Sequence, residues 1–185
     1  MTLTGVVLTG GASRRMGVDK ALVEVDGVAM AGRVASALAQ GGCEPVVCQG
    51  GDAQTLAVLE LPVLPDSRPG GGPVAAILDA LDAAAAGDVL ICACDLPWLD
   101  ARTVQMLVAG AAARPDADVI VACDDGGPHL AGVWRTTSRE RLAALLAAGV
   151  ESYRGALDQL NMAGVDVPSS VVVNVNSPDD LRRRR

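Results

Sequence analysis

Two adjacent glycines near the start of the chain, Gly10 and Gly11, are followed within about ten residues by three cationic side chains. Paired glycines let the backbone approach a ligand closely and present its N–H groups to an anion. Arginine and lysine supply the charges that offset phosphate groups. These cations are Arg14, Arg15 and Lys20. The combination predicts a loop that binds the phosphates of a nucleotide, and a glycine turn with solvated arginines is the alternative.

Two well-known phosphate loops do not match this segment. A P-loop requires G-x-x-x-x-G-K-[ST], whereas here five residues separate Gly11 from Gly17, and Val18-Asp19 precede Lys20. A dinucleotide fingerprint requires G-x-G-x-x-G at the start of a helix, which the segment does not supply. The pattern therefore argues against P-loop nucleotidases and against dinucleotide-dependent oxidoreductases.

A single aspartate, Asp95, directly follows the apolar run of residues 88–94. Such a run is typical of a central parallel strand buried on both faces. Open α/β folds bind ligands beyond the carboxyl ends of such strands. A carboxylate is also a ligand that suits Mg²⁺. We predict Asp95 as a metal ligand, with a turn or N-cap aspartate as the alternative.

Two further segments carry candidate ligand-binding residues. Residues 65–73 contain Asp66 and three consecutive glycines ending at Gly72, ahead of a helix predicted over residues 74–86. The entropic cost of ordering glycines favours a close ligand or a tight path over a plain connector, which is the alternative. A strand predicted over residues 171–173 leads into Asn174 and Asn176, and Ser177 has the properties of a helix N-cap.

Composition excludes several other classes of function. The net charge of −7 argues against broad nucleic-acid binding. The apolar runs are far shorter than the roughly 18 residues of a membrane span, and no leader is evident. We therefore expect a cytoplasmic protein. The five cysteines form no CxxC pair and His129 is the only histidine, so a zinc site is not expected and buried, reduced thiols are.

The elements that must position these residues alternate between strands and helices along the chain. Strands too apolar to face water on one side imply helices on both faces of the sheet. The sequence predicts one domain over residues 1–185 with an α/β fold, a three-layer α/β/α sandwich around a Rossmann-like, mostly parallel sheet. One antiparallel strand is expected over residues 130–134.

The opening segment also resembles a known family. Residues 8–20 match the pattern LxGGxSxRMGxDK, which is similar to that of the nucleotidyltransferases that make molybdenum cofactor dinucleotides, molybdenum cofactor guanylyltransferases in particular. Asp66 and Gly72-Pro73 match a second family motif, and residues 174–181 match the closing N-x-N-[ST]-P-[DE]-[DE]-L. The resemblance implies the fold of nucleotide-diphospho-sugar transferases.

The resemblance also implies a reaction, in which the phosphate of molybdopterin attacks the α-phosphorus of GTP with Mg²⁺ as cofactor. It implies that GTP and molybdopterin are partners, with transient contacts to proteins that deliver or accept the cofactor. The implied catalytic residues are Arg15, Lys20 and Asp95, the last also binding the metal. The implied nucleotide-binding residues are Leu8, Thr9, Gly10, Gly11, Lys20, Asp66, Gly72 and Asp95. Asn174 and Asn176 are implied to contact the pterin.

Two departures from the family pattern leave alternatives open. Cys48 stands where the family often has an asparagine that contacts guanine, and Ala76 replaces a usual glycine. A cytidylyltransferase or a sugar-phosphate nucleotidyltransferase is therefore an alternative within the same chemistry. A nucleotide-binding regulator without turnover is the alternative from another class.

Overall fold

The computed structural model describes residues 3–10, 19–84, 87–177 and 180–181. Within those residues seven strands form one sheet, and two more form a separate hairpin. The strands are β1 (Leu3–Leu8), β2 (Glu24–Val25), β3 (Val28–Ala29), β4 (Cys43–Gln49), β5 (Val63–Leu64), β6 (Val89–Ala93), β7 (Val119–Asp124), β8 (Gly127–Trp134) and β9 (Met162–Asp166). The α-helices are α1 (Met30–Gln40), α2 (Ala53–Leu56), α3 (Gly72–Ala83), α4 (Ala101–Ala113), α5 (Arg139–Ala147) and α6 (Tyr153–Leu157).

The large sheet is mostly parallel, in the order β5-β4-β1-β6-β8-β7-β9. Strand β8 runs antiparallel to both of its neighbours, β6 and β7. The remaining pairs in this sheet are parallel. These pairings confirm the predicted α/β class and the antiparallel strand expected over residues 130–134.

Helices cover both faces of the sheet. On one face Val7 of β1 and Cys92 of β6 belong to a core that includes residues of α1 and α4. On the other face Val6 and Ile91 belong to a core with residues of α3, α5 and α6. Alternate residues of β1 and β6 are thus buried on opposite faces, which is why residues 6–8 of β1 and the whole of β6 are continuously apolar in sequence.

The chain reverses its direction across the sheet at β1. From β1 it passes through α1 to β4 on one side, and later returns through α3 to β6 on the other. Because β1, β4 and β6 are parallel, the residues that follow them meet at one edge. Ligands of open α/β sheets bind at such a switch point, beyond the carboxyl ends of the strands.

The strand predicted over residues 171–173 is wrong. Ser169–Val171 form a short 3₁₀ turn, and the last strand of the sheet is β9. Val172 is nevertheless buried in the core shared with α1 and α4, so the apolar run reflects packing and not strand pairing. Beyond this run, the Val175 amide donates to the carbonyl of Asp95 at 2.9 Å.

Among the described helices, none is long and apolar enough to cross a membrane.

Candidate active site

The side chains of Lys20, Asp95, Asn174 and Asn176 form one hydrogen-bonded group at the carboxyl edge of the sheet. Lys20 Nζ lies 2.8 Å from Asp95 Oδ2 and 2.8 Å from Asn176 Oδ1. Asn174 Nδ2 donates to Asp95 Oδ1 at 3.0 Å. The Lys20 and Asp95 side chains are only 17% and 16% exposed, so their charges are screened less than those of a surface pair. The structure therefore brings four predicted site residues together.

Local structure explains how these residues are held. Lys20 opens a 3₁₀ turn, Lys20–Leu22, whose N-cap Asp19 accepts a hydrogen bond from the Ala21 amide at 3.0 Å. Asp95 lies two residues beyond the end of the central strand β6. The segment bearing the two asparagines crosses to this strand end, where the Val175 amide bonds to the Asp95 carbonyl. Backbone bonds thus fix both sides of the charged group.

A second cluster lies at the ends of β1 and β4. The amides of Thr9 and Gly10 both donate to the Gln49 carbonyl, at 3.0 and 3.1 Å. The Thr9 hydroxyl donates to the Gly50 carbonyl at 2.7 Å. The Gly10 amide, expected to donate to a nucleotide, is therefore hydrogen-bonded to β4 in this structure.

Asp66 lies against these strand ends. A Cβ on Gly50 would lie 2.5 Å from Asp66 Oδ1, and Gly50 has a φ of 78°, so this position requires glycine. A Cβ on Gly10 would lie 3.0 Å from Asp66 Oδ2. The two glycines leave space for the carboxylate, so Asp66 lies beside Gly10 and Gly50 at the ends of β1 and β4.

Gln49 is the residue that sequence reasoning missed. Its side chain is fully buried, and Nε2 donates to the Pro65 carbonyl at 3.2 Å. Its Oε1 has no hydrogen-bond partner among the described residues. An unpaired buried acceptor costs roughly 1–3 kcal/mol. The available signal was a polar residue closing the apolar end of a strand.

Cys48, which stands where the family often has an asparagine, does not reach the surface of the strand end. Cys48 lies inside the sheet, opposite Val7 of β1 and Val63 of β5, and is fully buried. Burial raises the pKa of its thiol, and a hydrogen bond with Thr9 opposes that effect. Gln49, one residue later, is the polar side chain at the strand end.

Of the remaining residues singled out in the sequence, some lie within the described part of the chain and two lie outside it. Leu8 accepts a hydrogen bond from the Cys94 amide at 3.2 Å. Gly72 has a φ of 67°, and a Cβ there would lie 2.7 Å from the Glu151 carbonyl, so close backbone packing alone requires this glycine. Ala76 packs against the core shared with α3 and α5. Gly11 and Arg15 lie outside the described residues.

His129 makes a pair with Asp124 on the hairpin formed by β7 and β8. His129 Nε2 lies 2.8 Å from Asp124 Oδ1, and Tyr153 donates to the His129 carbonyl at 2.6 Å. The His129 ring and the Gly126 amide hold the pKa of the Asp124 carboxyl below its ordinary value. The pair therefore links the two strands of the hairpin.

The donor set around Asp95 fits Mg²⁺. The described residues contain no cluster of three or more His, Cys, Asp and Glu side chains that would form a complete metal cage. They do contain one carboxylate, Asp95, with the amide side chains of Asn174 and Asn176 beside it. Magnesium in proteins takes one or two carboxylates and fills its other positions with phosphate oxygens and water. A metal that arrives with a triphosphate suits this arrangement.

Known proteins resemble this chain in sequence and in fold. A probable molybdenum cofactor guanylyltransferase from Mycobacterium marinum is 37% identical over 98% of this chain and 92% of its own length. The crystal structure of molybdopterin-guanine dinucleotide biosynthesis protein A from Archaeoglobus fulgidus superposes with a TM-score of 0.79 at 22% identity, covering 98% of this chain and 96% of that one. The structure of CMP:2-keto-3-deoxy-manno-octonic acid synthetase complexed with CTP superposes with a TM-score of 0.78 at 14% identity, covering 100% and 97% of the two chains.

The family model described as the MobA-like NTP transferase domain matches residues 5–180. This range begins at the third residue of β1 and contains the other strands of the large sheet completely. The match extends over Asp66, Asp95 and both asparagines, so it includes the site as well as the fold. On the evidence of its sheet, its site and this match, the chain belongs to the MobA-like NTP transferase family and is a nucleotidyltransferase.

Proposed function

We propose that this chain, acting as one domain over residues 1–185, transfers GMP from GTP to the phosphate of molybdopterin and releases pyrophosphate. The observation that carries the proposal is the contact of Lys20 with Asp95 and Asn176 at the same sheet edge as Thr9 and Asp66. The name of the Mycobacterium marinum relative supports guanine and molybdopterin as the substrates.

The chemistry requires charge compensation and alignment. An oxygen of the molybdopterin phosphate forms a bond to the α-phosphorus of GTP. The bond from that phosphorus to the bridging oxygen breaks, and its electron pair leaves with pyrophosphate. Such an in-line displacement depends on positioning and electrostatics far more than on proton transfer.

Lys20 is placed for the electrostatic part of this task. An ammonium group has three N–H donors, and two of them are directed at Asp95 and Asn176. The third is available, within the described part of the chain, for an oxygen of the triphosphate. Asp95 would hold Mg²⁺, which supplies charge neutralisation at the phosphates when bound. Arg15 is proposed to act beside Lys20 on the departing pyrophosphate.

Asp66 is proposed to contact the nucleoside. Gln49 is proposed to support this contact from within the sheet, because its buried Nε2 bonds to the carbonyl of Pro65, the residue before Asp66. The carboxylate of Asp66 can accept bonds from donor groups of the nucleoside. Leu8, Thr9, Gly10, Gly11 and Gly72 are proposed to shape the backbone around the nucleotide, and Asn174 and Asn176 to face the pterin.

Cytidylyl transfer is the second candidate. The amino group of cytosine can donate to a carboxylate such as that of Asp66, as the amino group of guanine can. The protein complexed with CTP also shares this fold. Both candidates use the same phosphate chemistry and differ in the base.

Pyrophosphate release with molybdopterin and Mg²⁺ tests the proposal, with GTP, CTP and ATP compared for the wild type and for Asp95→Asn. We expect turnover with GTP, and a loss of kcat of about 100-fold or more in Asp95→Asn because it loses the charge that holds the metal and Lys20. Asp88→Asn is the matched control, since Asp88 precedes the same strand at its other end and pairs with Arg135. This control should retain kcat within about twofold.

Each other result has a defined meaning. Turnover with CTP in place of GTP would support cytidylyl transfer. Tight nucleotide binding with no pyrophosphate release for any nucleotide would refute the enzyme and favour a regulator. Equal losses in the two variants would show that Asp95 has no special part in the reaction.

A further inference from the structure

Asp79 is a buried carboxylate in the middle of α3, and the reaction proposed above does not use it. Its side chain is only 5% exposed. It accepts hydrogen bonds from the Ser67 amide at 2.8 Å and the Ser67 hydroxyl at 2.5 Å, and it pairs with the Arg68 guanidinium. A buried carboxylate is tolerated only when it is bonded in this way. Asp79 therefore fastens the residues that directly follow Asp66 onto α3.

The residue on the other side of Asp66 is also held. The Pro65 carbonyl accepts a hydrogen bond from Gln49 Nε2, at the end of β4. Asp66 is thus fixed by its neighbours, through Gln49 on one side and Asp79 on the other. Its own carboxylate makes no hydrogen bond within the described residues, although it lies against Gly10 and Gly50. The position of that carboxylate consequently depends on the two anchors.

A second acidic residue of α3 separates this anchor from ordinary surface charge pairing. Asp82 bonds to Arg68 at 2.8 Å and pairs with Arg139 of α5. No hydrogen bond joins Asp82 to Ser67 among the described residues. Asp79 and Asp82 therefore share Arg68, and Asp79 alone of the two bonds to the residue after Asp66.

We propose that Asp79 is a positioning residue for Asp66, and this inference rests on the proposed function. By holding Ser67, it keeps the Asp66 carboxylate in place before the nucleotide arrives. The nucleotide then binds without the entropic cost of ordering this loop. Asp79 does not touch the nucleotide and acts only through Asp66, so its loss should weaken nucleotide binding and spare the chemical step.

The test measures the Kd for Mg–GTP by calorimetry, and kcat and KM by pyrophosphate release, for Asp79→Asn, Ser67→Ala, Asp66→Asn and the double variant Asp66→Asn/Asp79→Asn. For Asp79→Asn we expect the Kd and KM for GTP to rise about tenfold, with kcat and the KM for molybdopterin within about twofold. Ser67→Ala should shift the same constants by a smaller factor, because it removes only one of the bonds and retains the Asp79–Arg68 pair.

Asp82→Asn is the matched control and should leave all four quantities unchanged. The Kd of the double variant for GTP distinguishes a positioning role of Asp79 from a purely structural one. If Asp79 acts through Asp66, the double variant should bind GTP no more weakly than Asp66→Asn alone.

Three outcomes would overturn the inference. A lower melting temperature of Asp79→Asn with an unchanged Kd would assign Asp79 to stability only. Additive losses in the double variant would show that Asp79 acts elsewhere. A wild-type chain that binds neither GTP nor CTP would overturn the proposed function and this inference together, whereas the first two outcomes leave the proposed function standing.

Discussion

Lys20 is the only lysine of the chain, since the other fourteen of its fifteen Lys and Arg residues are arginines. At the site an arginine would present a rigid planar fork, whereas the lysine ammonium is a compact charge with three donors. The ammonium donates hydrogen bonds to two protein oxygens and, in our proposal, donates a third to a phosphate oxygen. The type of cation is therefore as specific as its position.

This uniqueness gives a direct probe of the site, because an amine-acetylating reagent can modify only Lys20 and the α-amino group. We expect Mg–GTP to slow acetylation of Lys20 by about tenfold or more, since nucleotide phosphate would occupy its remaining donor and cover the group. Peptide mass spectrometry measures the rate, with the α-amino group as internal control. Equal rates with and without nucleotide would contradict the placement of the phosphates at Lys20.

The cysteines provide a second prediction at this scale. Burial raises the pKa of the Cys43 thiol to about 11. Burial, and to a smaller extent the neighbouring Asp95 charge, raises the pKa of the Cys94 thiol to about 12. Cys48 and Cys92 are also buried, with raised pKa values, and Cys123 is half-buried. Because the thiolate is the reactive form, the four buried thiols should not react with a disulfide reagent at pH 8.

Spectrophotometric thiol counting in the folded and the urea-unfolded protein checks this expectation. We expect at most one thiol, Cys123, to react slowly in the folded chain, and five to react once it is unfolded. Rapid reaction of two or more thiols in the folded chain would contradict the buried, reduced state of the core cysteines.

At the scale of elements, two glycines within helices report on how tightly the layers pack. A Cβ on Gly32 of α1 would meet its nearest atom, Leu59 Cδ2, at 3.7 Å. A Cβ on Gly110 of α4 would lie 2.6 Å from Val165 Cγ2 of β9. Helix α4 thus approaches the sheet so closely at this point that only glycine fits without movement, whereas α1 has room for a methyl group.

Alanine substitutions at the two positions should therefore differ in sign. Gly32→Ala should stabilise the protein by about 0.5–1 kcal/mol, because alanine loses less backbone entropy in a helix. Gly110→Ala should destabilise it by about 1 kcal/mol or more, because overpacking exceeds that gain. Urea unfolding measures both free energies. Stabilisation by Gly110→Ala would show that β9 yields easily to α4.

The same scale shows what could be predicted from the sequence. Strands β1 and β6 were predictable because both of their faces are buried, so their apolar runs are uninterrupted and end at Thr9 and near Asp95. Strand β9 was not predicted, because it forms an edge of the sheet and its residues alternate between exposed and half-buried. The apolar run of residues 171–173 indicated a strand because burial in a core gives the same pattern as pairing.

Part of the site was beyond such reasoning. Lys20, Asp95 and the two asparagines were predicted from motifs, and the structure brings them together. Gln49 and Asp79 were not predicted. In sequence, a single glutamine at a strand end and a single aspartate within a helix both look like solvent-exposed residues. The partners of Asp79 also lie 11 and 12 positions away, beyond the reach of a local motif. Only the packed structure shows that both side chains are buried.

At the scale of the whole molecule, ligand binding should stabilise the entire sheet, because the site takes residues from β1, β4 and β6 and from the segment after β9. At a nucleotide concentration of about 100 Kd the expected gain is about 2.7 kcal/mol. For a chain of this size that corresponds to a rise in melting temperature of roughly 5–10 °C.

Thermal unfolding monitored by circular dichroism, with and without Mg–GTP, measures this shift. The Asp95→Asn variant should show a smaller rise in melting temperature at the same nucleotide concentration, because it lacks the carboxylate that pairs with Lys20 and would bind the metal. A full shift in Asp95→Asn would indicate that nucleotide binds away from the Lys20–Asp95 pair.

The Lys20 ammonium bonds to two residues that lie 75 and 156 positions further along the chain. During synthesis on the ribosome, Lys20 and Asp95 emerge well before Asn174 and Asn176 exist. A growing chain can therefore assemble the central sheet long before it can assemble the site. Substrate has no complete site to bind until Asn174 and Asn176 have been synthesised, so it can stabilise only chains that extend at least to these residues.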